Sequence, residues 1–159
     1  MWSSRTERLI ELDAPPSSTG APEPCIFASD GEVVFAYWLA SPASEAGAAV
    51  DRSALVTVKL CRVIKYGSPN DEALRGHRLY ASGLRSYSAY EVLNSSWIAE
   101  LEMANRVHPR HSRAMFADLR HYIFTFHDST LEFVCCGLAW SVHSGSPEAV
   151  VRDEIMRRS

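Results

Sequence analysis

A chain of 159 residues, 47% hydrophobic and 22% charged, has the balance of an ordinary globular protein and the length of one domain. Its net charge of -3 and the absence of a basic stretch argue against a nucleic-acid-binding surface. No apolar run is long enough to cross a bilayer and no charged start leads into an apolar leader, so no membrane partner and a cytoplasmic location are expected.

The first 24 residues read as a flexible arm or linker, and residues 25–159 as a single domain. Arg5 to Leu12 adds a short edge strand or stays frayed, and Trp2 is either anchoring or exposed. The Pro/Ser-rich stretch from Ala14 to Pro24 has no core-forming capacity of its own. Cys25–Ser29 and Glu32–Leu39 flank Asp30-Gly31, a strong hairpin signal because glycine takes the positive φ of a tight turn. Ser41 to Ser53 is small and polar and reads as a loose loop. Ala54 to Lys65 reads as one strand, with Val56, Val58 and Leu60 on one side.

The segment from Gly67 to Tyr80 (GSPNDEALRGHRLY) is dense in polar side chains. Asn70 or Asp71 caps a short helix that Gly76 stops. It is either a capped turn that orders a loop, or a binding loop folded over a neighbouring sheet face. Ser88 to Asn94 alternates as a strand. Asn94-Ser95-Ser96 caps a helix from Trp97 to about Val107, with Trp97, Ile98, Leu101, Ala104 and Val107 as its apolar stripe and Glu100 and Glu102 facing out. Ser112 to Leu119 suggests a short helix with Met115 and Phe116 inward.

Leu119 to His143 reads as two apolar strands joined by a polar turn at Asp128-Ser129. Tyr122, Phe124, Phe126, Leu131, Phe133 and Cys135 then share a core face. The opposite face carries His121, Thr125, His127, Glu132 and Cys136, mixed with Ile123 and Val134. Two imidazoles, a carboxylate and a thiol are unusual for a plain solvent face. It is a half-wet sheet surface, an acid–base pocket, or a metal site; an ideal strand puts His121 and His127 roughly 20 Å apart, too far for one ion. After Gly145, Pro147 to Arg158 reads as a terminal helix capped by Ser146, with Val150, Val151, Ile155 and Met156 as its apolar side.

The fold class is therefore α+β. A mainly antiparallel twisted sheet of roughly five to seven strands carries one main helix, with short helices including a C-terminal one. The four cysteines form no CxxC pair and no zinc-finger spacing, and buried free thiols are expected. No Walker loop, GxGxxG, GxSxG or HExxH occurs, and no cofactor or metal is implied. The first functional expectation is a small-ligand pocket with acid–base chemistry. Its catalytic candidates are His127, Glu132 and Asp128, with Asn70, Asp71, His77, Tyr80, Tyr90 and Thr125 contacting the ligand. The rival is a non-catalytic module that binds another protein, of accessory or immunity type. A homodimer is compatible with either.

Overall fold

Phe124, Phe126, Leu131, Phe133 and Cys135 are buried and form one wall of the main core. Val33, Phe35, Tyr37, Ala54, Val56 and Val58 form the other. Each set takes every second residue of its strands, which is the signature of two sheets packed face to face. Phe35 meets Phe124 edge-on across this interface, with ring centroids 5.0 Å apart. Such pairs add about 1 kcal/mol beyond the area they bury.

The computed structural model describes residues 5–41 and 51–159. Among these are nine strands and two α-helices, an α+β fold. One sheet has five strands in the order β1 (Arg8–Glu11), β6 (Ala89–Leu93), β7 (Arg120–Thr125), β8 (Thr130–Cys135) and β5 (Val63–Gly67). The other has four, in the order β2 (Cys25–Ser29), β3 (Glu32–Trp38), β4 (Arg52–Lys59) and β9 (Gly137–Ser144). Every pairing is antiparallel.

The expected single sheet divides into two because two strands are longer in pattern than in structure. The run from Ala54 to Lys65 leaves the four-stranded sheet after Lys59, turns at Leu60 with φ of 49°, and re-enters as β5 of the other sheet. The second strand of the central hairpin ends at Cys135 and continues across Cys136 as β9. The crossings lie side by side, since Lys59 pairs with Gly137 and its carbonyl accepts from the Cys136 N–H at 2.9 Å. Both halves of each run keep a period of two, so alternation alone cannot reveal the break.

The central hairpin pairs Thr125 with Thr130 and Phe124 with Leu131, closing through the four residues 126–129. A two-residue turn at Asp128-Ser129 pairs Phe126 with Leu131 instead. The two registers differ by two residues, so every side chain keeps its face.

The N-terminal stretch is built into the sandwich. β1 pairs with β6, and Leu12 and Ala14 pack against the main core. Residues 15–22 then run along β3 as a strap. Tyr37 donates its hydroxyl to the Pro15 carbonyl at 2.7 Å, and backbone bonds link Ser18 to Trp38 and Ala40 to Pro16. Trp2 and residues 42–50 of the expected loose loop lie outside the described residues.

Each sheet is covered on its outer face. Helix α2 (Pro147–Arg158) starts at Ser146, whose side chain accepts from the Ala149 N–H, and sets Val150 and Val151 on Val34, Ala36 and Leu55. Met156 stays exposed. On the five-stranded sheet, residues 74–84 and Tyr90, Val92 and Ile123 form a second apolar cluster. Helix α1 (Ser96–Asn105), capped by Ser95, lies beside them.

Helix α1 differs from its expected stripe. Glu102 is fully buried, while Ala104 and Val107 are exposed. The reason is a cluster of partners that the helix alone does not display. Arg106 donates twice to Glu102, and His111 Nε2 lies 2.9 Å from its Oε1. These groups hold the Glu102 carboxyl below its usual pKa, Arg106 first. The short helix after Ser112 is a 3-10 turn, Arg113–Phe116, with Met115 exposed and Phe116 half-buried.

Candidate functional site

The loop from Ser68 to Ser88 crosses the outer face of the five-stranded sheet and builds two separate polar networks there. The first centres on Glu132. Its strand, β8, lies between β7 and β5, so the side chain emerges mid-sheet and is 4% exposed. His77 Nε2 sits 2.8 Å from Oε1, and His121 Nε2 sits 2.8 Å from Oε2. The rings' other nitrogens fix the protons. The Leu79 N–H donates to His77 Nδ1 at 3.1 Å, so that nitrogen is an acceptor and Nε2 carries the hydrogen. The Ser95 hydroxyl, which accepts from the Ile98 N–H, lies 2.8 Å from His121 Nδ1. Its own proton goes to that nitrogen, and His121 Nε2–H goes to Glu132.

Glu132 is thus an anion between two N–H donors, with the Arg78 guanidinium 3.8 Å away. Burial acts to raise its carboxyl pKa. The two imidazole N–H groups outweigh that and hold it well below the usual carboxylate range. Both oxygens are engaged, and His121 is fully buried beneath an edge-on Trp97 ring. The arrangement ties loop, sheet and helix together.

The second network opens to solvent at the tip of the central hairpin. His127 Nδ1 lies 2.9 Å from Asp71 Oδ2, and the Asp71 N–H donates to the His127 carbonyl at 2.9 Å. Tyr87 donates its hydroxyl to the same carboxylate, and its ring stacks near-parallel to the imidazole at 6.4 Å. The Tyr87 hydroxyl and then His127 hold Asp71 below its ordinary pKa, while the bond to Asp71 pushes the Tyr87 phenol up to about 12. Tyr87 has φ of 57°, a left-handed conformation that costs a non-glycine residue roughly 1–3 kcal/mol. The His127 side chain is 41% exposed, and its Nε2 lies 4.0 Å from the well-exposed Asp128 carboxylate.

The expected site residues therefore part company. Glu132 keeps His77 but not His127, which joins Asp71. Asn70 caps the turn by accepting from the Ala73 N–H at 3.0 Å. Tyr80 is half-buried under the Arg85 guanidinium, and Tyr90 is buried in the outer apolar cluster. Thr125 is buried, donating to the Arg85 carbonyl at 2.7 Å and accepting from the Ser88 N–H at 3.1 Å. Tyr87 and Ser95 belong to the networks and are not among the expected residues. Ser95 was legible only as a helix cap, and nothing in the pattern Ser86-Tyr87-Ser88 marks the tyrosine.

No group of three His, Cys, Asp or Glu side chains among the described residues is arranged to hold a metal ion. Burial pushes the Cys135 thiol up to about 12 and raises Cys61 and Cys25, which makes all three poor nucleophiles. His121 offers no free nitrogen as a base for Cys136. No helix among the described residues is long and apolar enough to cross a membrane. Comparison of the chain with protein-family models, curated proteins and solved structures returns no match.

Proposed function

We propose that the chain is a small-ligand-binding domain whose chemistry is proton transfer at His127. The observation that carries this reading is the Asp71–His127 pair, 2.9 Å apart at Nδ1. With the Nδ1 proton committed to Asp71, the accepting lone pair lies on Nε2 of a side chain that is 41% exposed. A carboxylate that fixes the tautomer and stabilises the imidazolium is the usual way to prepare a histidine base. Asp71 and Tyr87 are positioning residues in this account, and Glu132 secures the loop that carries Asp71.

An accessible imidazole cleaves p-nitrophenyl acetate through its unprotonated nitrogen, which takes the acetyl group, expels p-nitrophenolate and is freed again by water, so that ester reads whether the Nε2 lone pair is available and basic. His127→Gln is expected to lower the rate by roughly tenfold or more, and Asp71→Asn by a smaller factor. The melting temperature of His127→Gln should stay close to that of the parent, because the ring is partly exposed. An unchanged rate in His127→Gln would remove the proposal.

A second reading, an interaction module, has its own support. Tyr66, Trp140 and Val142 point toward the core side of the edge strands β5 and β9, yet are 53%, 37% and 46% exposed. β9 is an eight-residue edge without Asp, Glu, Lys or Arg, the kind of strand that accepts pairing from another chain. Under this reading the apolar flank is the contact, and Trp140→Glu abolishes association while leaving ester cleavage intact.

A further inference from the structure

Four strands lie at the edges of the two sheets, β1 and β5 in the larger and β2 and β9 in the smaller. Edge strands that stay single are usually kept short, charged or covered. β1 has four residues, of which Arg8 and Glu11 are charged, and β5 carries Lys65. β2 has five residues, and its Cys25 and Phe27 pack with Val150 and Val151 of helix α2. β9 has none of these protections. It is eight residues long without Asp, Glu, Lys or Arg, and no described strand pairs with its outer side. The cluster under helix α2 draws on β2, β3 and β4 and on no residue of β9, and residues 139–144 are exposed.

We propose that β9 pairs antiparallel with β9 of a second copy of this chain, about a two-fold axis at Trp140; this rests on the interaction-module reading of the flank and supplies its partner. The backbone is set for it. The Gly145 N–H donates to the Asp51 carbonyl, and the register continues from there through Ser144 opposite Arg52 and His143 opposite Ser53. Antiparallel ladders alternate, so the odd-numbered residues of β9 bond toward β4. Leu138, Trp140 and Val142 turn their N–H and C=O groups outward. The sequence Leu138-Ala139-Trp140-Ser141-Val142 is self-complementary: large and small residues alternate symmetrically about Trp140. Antiparallel pairing about that residue sets Trp140 against its own copy and Leu138 against Val142. Every apolar side chain then meets an apolar one, and each outward N–H meets an outward carbonyl. These three side chains share the core-side face, because they stand opposite Val58, Val56 and Ala54. Charge favours a second copy too. A two-fold axis brings each residue near its own copy, so a charged strand would repel itself, and β9 carries no carboxylate, ammonium or guanidinium group.

Sedimentation of the full chain through the micromolar range is the first test, and twice the 17.7 kDa mass of one chain is expected. Trp140→Lys sets two ammonium groups across the axis and should weaken the dimer about thirtyfold or more. A second readout leaves the core side untouched. Ala139 and Ser141 are exposed, and the pairing sets each against the other across the axis at about 4.5 Å between Cα atoms. Mild oxidation of mixed Ala139→Cys and Ser141→Cys chains should therefore link them by a disulfide faster than either variant links to itself. If Trp140→Lys fails to fold, the cysteine mixture decides alone. A monomeric parent would overturn the proposal and leave the flank as a contact for a different protein. A dimer that Trp140→Lys does not weaken and the mixture does not cross-link would overturn the reading of this flank as well. Weakening without cross-linking would overturn the pairing about Trp140.

Discussion

At the scale of single residues, Glu132 and His127 divide structure from chemistry. Glu132 is buried with both oxygens taken, so Glu132→Gln replaces one acceptor with an N–H that faces another donor. The expected cost is about 3 kcal/mol, read as a lower denaturation midpoint. The sign of the pH dependence follows from the depressed carboxyl. An unfolded glutamate titrates near 4.3. Glu132 therefore stabilises the fold fully above that pH, and the contribution drains away as pH falls below it toward the folded value. Denaturant titrations at pH 7 and at about pH 3.5 should show a smaller gap between parent and Glu132→Gln at the lower pH. The alternation of the hairpin placed Glu132 and His121 on one face correctly. Their partners were beyond it, because His77 arrives from a loop 55 residues away and Ser95 from a helix cap. Pairing Glu132 with His127 followed from adjacency on a strand face, whereas His127 sits past the strand end and is claimed by Asp71.

At the scale of elements, local chemistry was sufficient where it was self-contained. Helix α2 begins and ends where its sequence says, because Ser146, Pro147 and the closing arginines are all local signals. Ser146→Ala should cost about 1 kcal/mol in a denaturant titration, since it strips the cap from the Ala149 N–H. The turn at Asp30-Gly31 was equally plain, with Gly31 at φ of 78°. Helix α1 was misread on one face because Glu102 is buried by Arg106 and His111, a tertiary effect that overrides the polar pattern. The strands that cross between sheets were merged for a related reason. A change of sheet alters the partner of a strand and leaves its period untouched.

At the scale of the molecule, the two-sheet sandwich is closed at one end by a segment whose composition suggested a linker. Pro15 and Pro16 cannot donate backbone hydrogen bonds, but their carbonyls accept from Tyr37 and Ala40. Composition measures what a segment can bury alone, and here the core was supplied by the sheets. Deleting residues 1–22 removes β1 and the strap, and should lower the Tm by roughly 5 °C or more; a free arm would leave it unchanged. The loop carrying Asp71 and His77 is likewise held by the outer sheet face, so the open His127 network depends on the closed Glu132 network for its position.

That division rests on where three protons sit, and one spectrum reads all three. A long-range proton–nitrogen correlation of the histidine rings, recorded where the rings are neutral, assigns the tautomer of each. The structure predicts the Nε2–H form for His77 and His121 and the Nδ1–H form for His127, with the last lost in Asp71→Asn. An Nε2–H tautomer at His127 would contradict the account, because the nitrogen meant to accept a proton would already carry one.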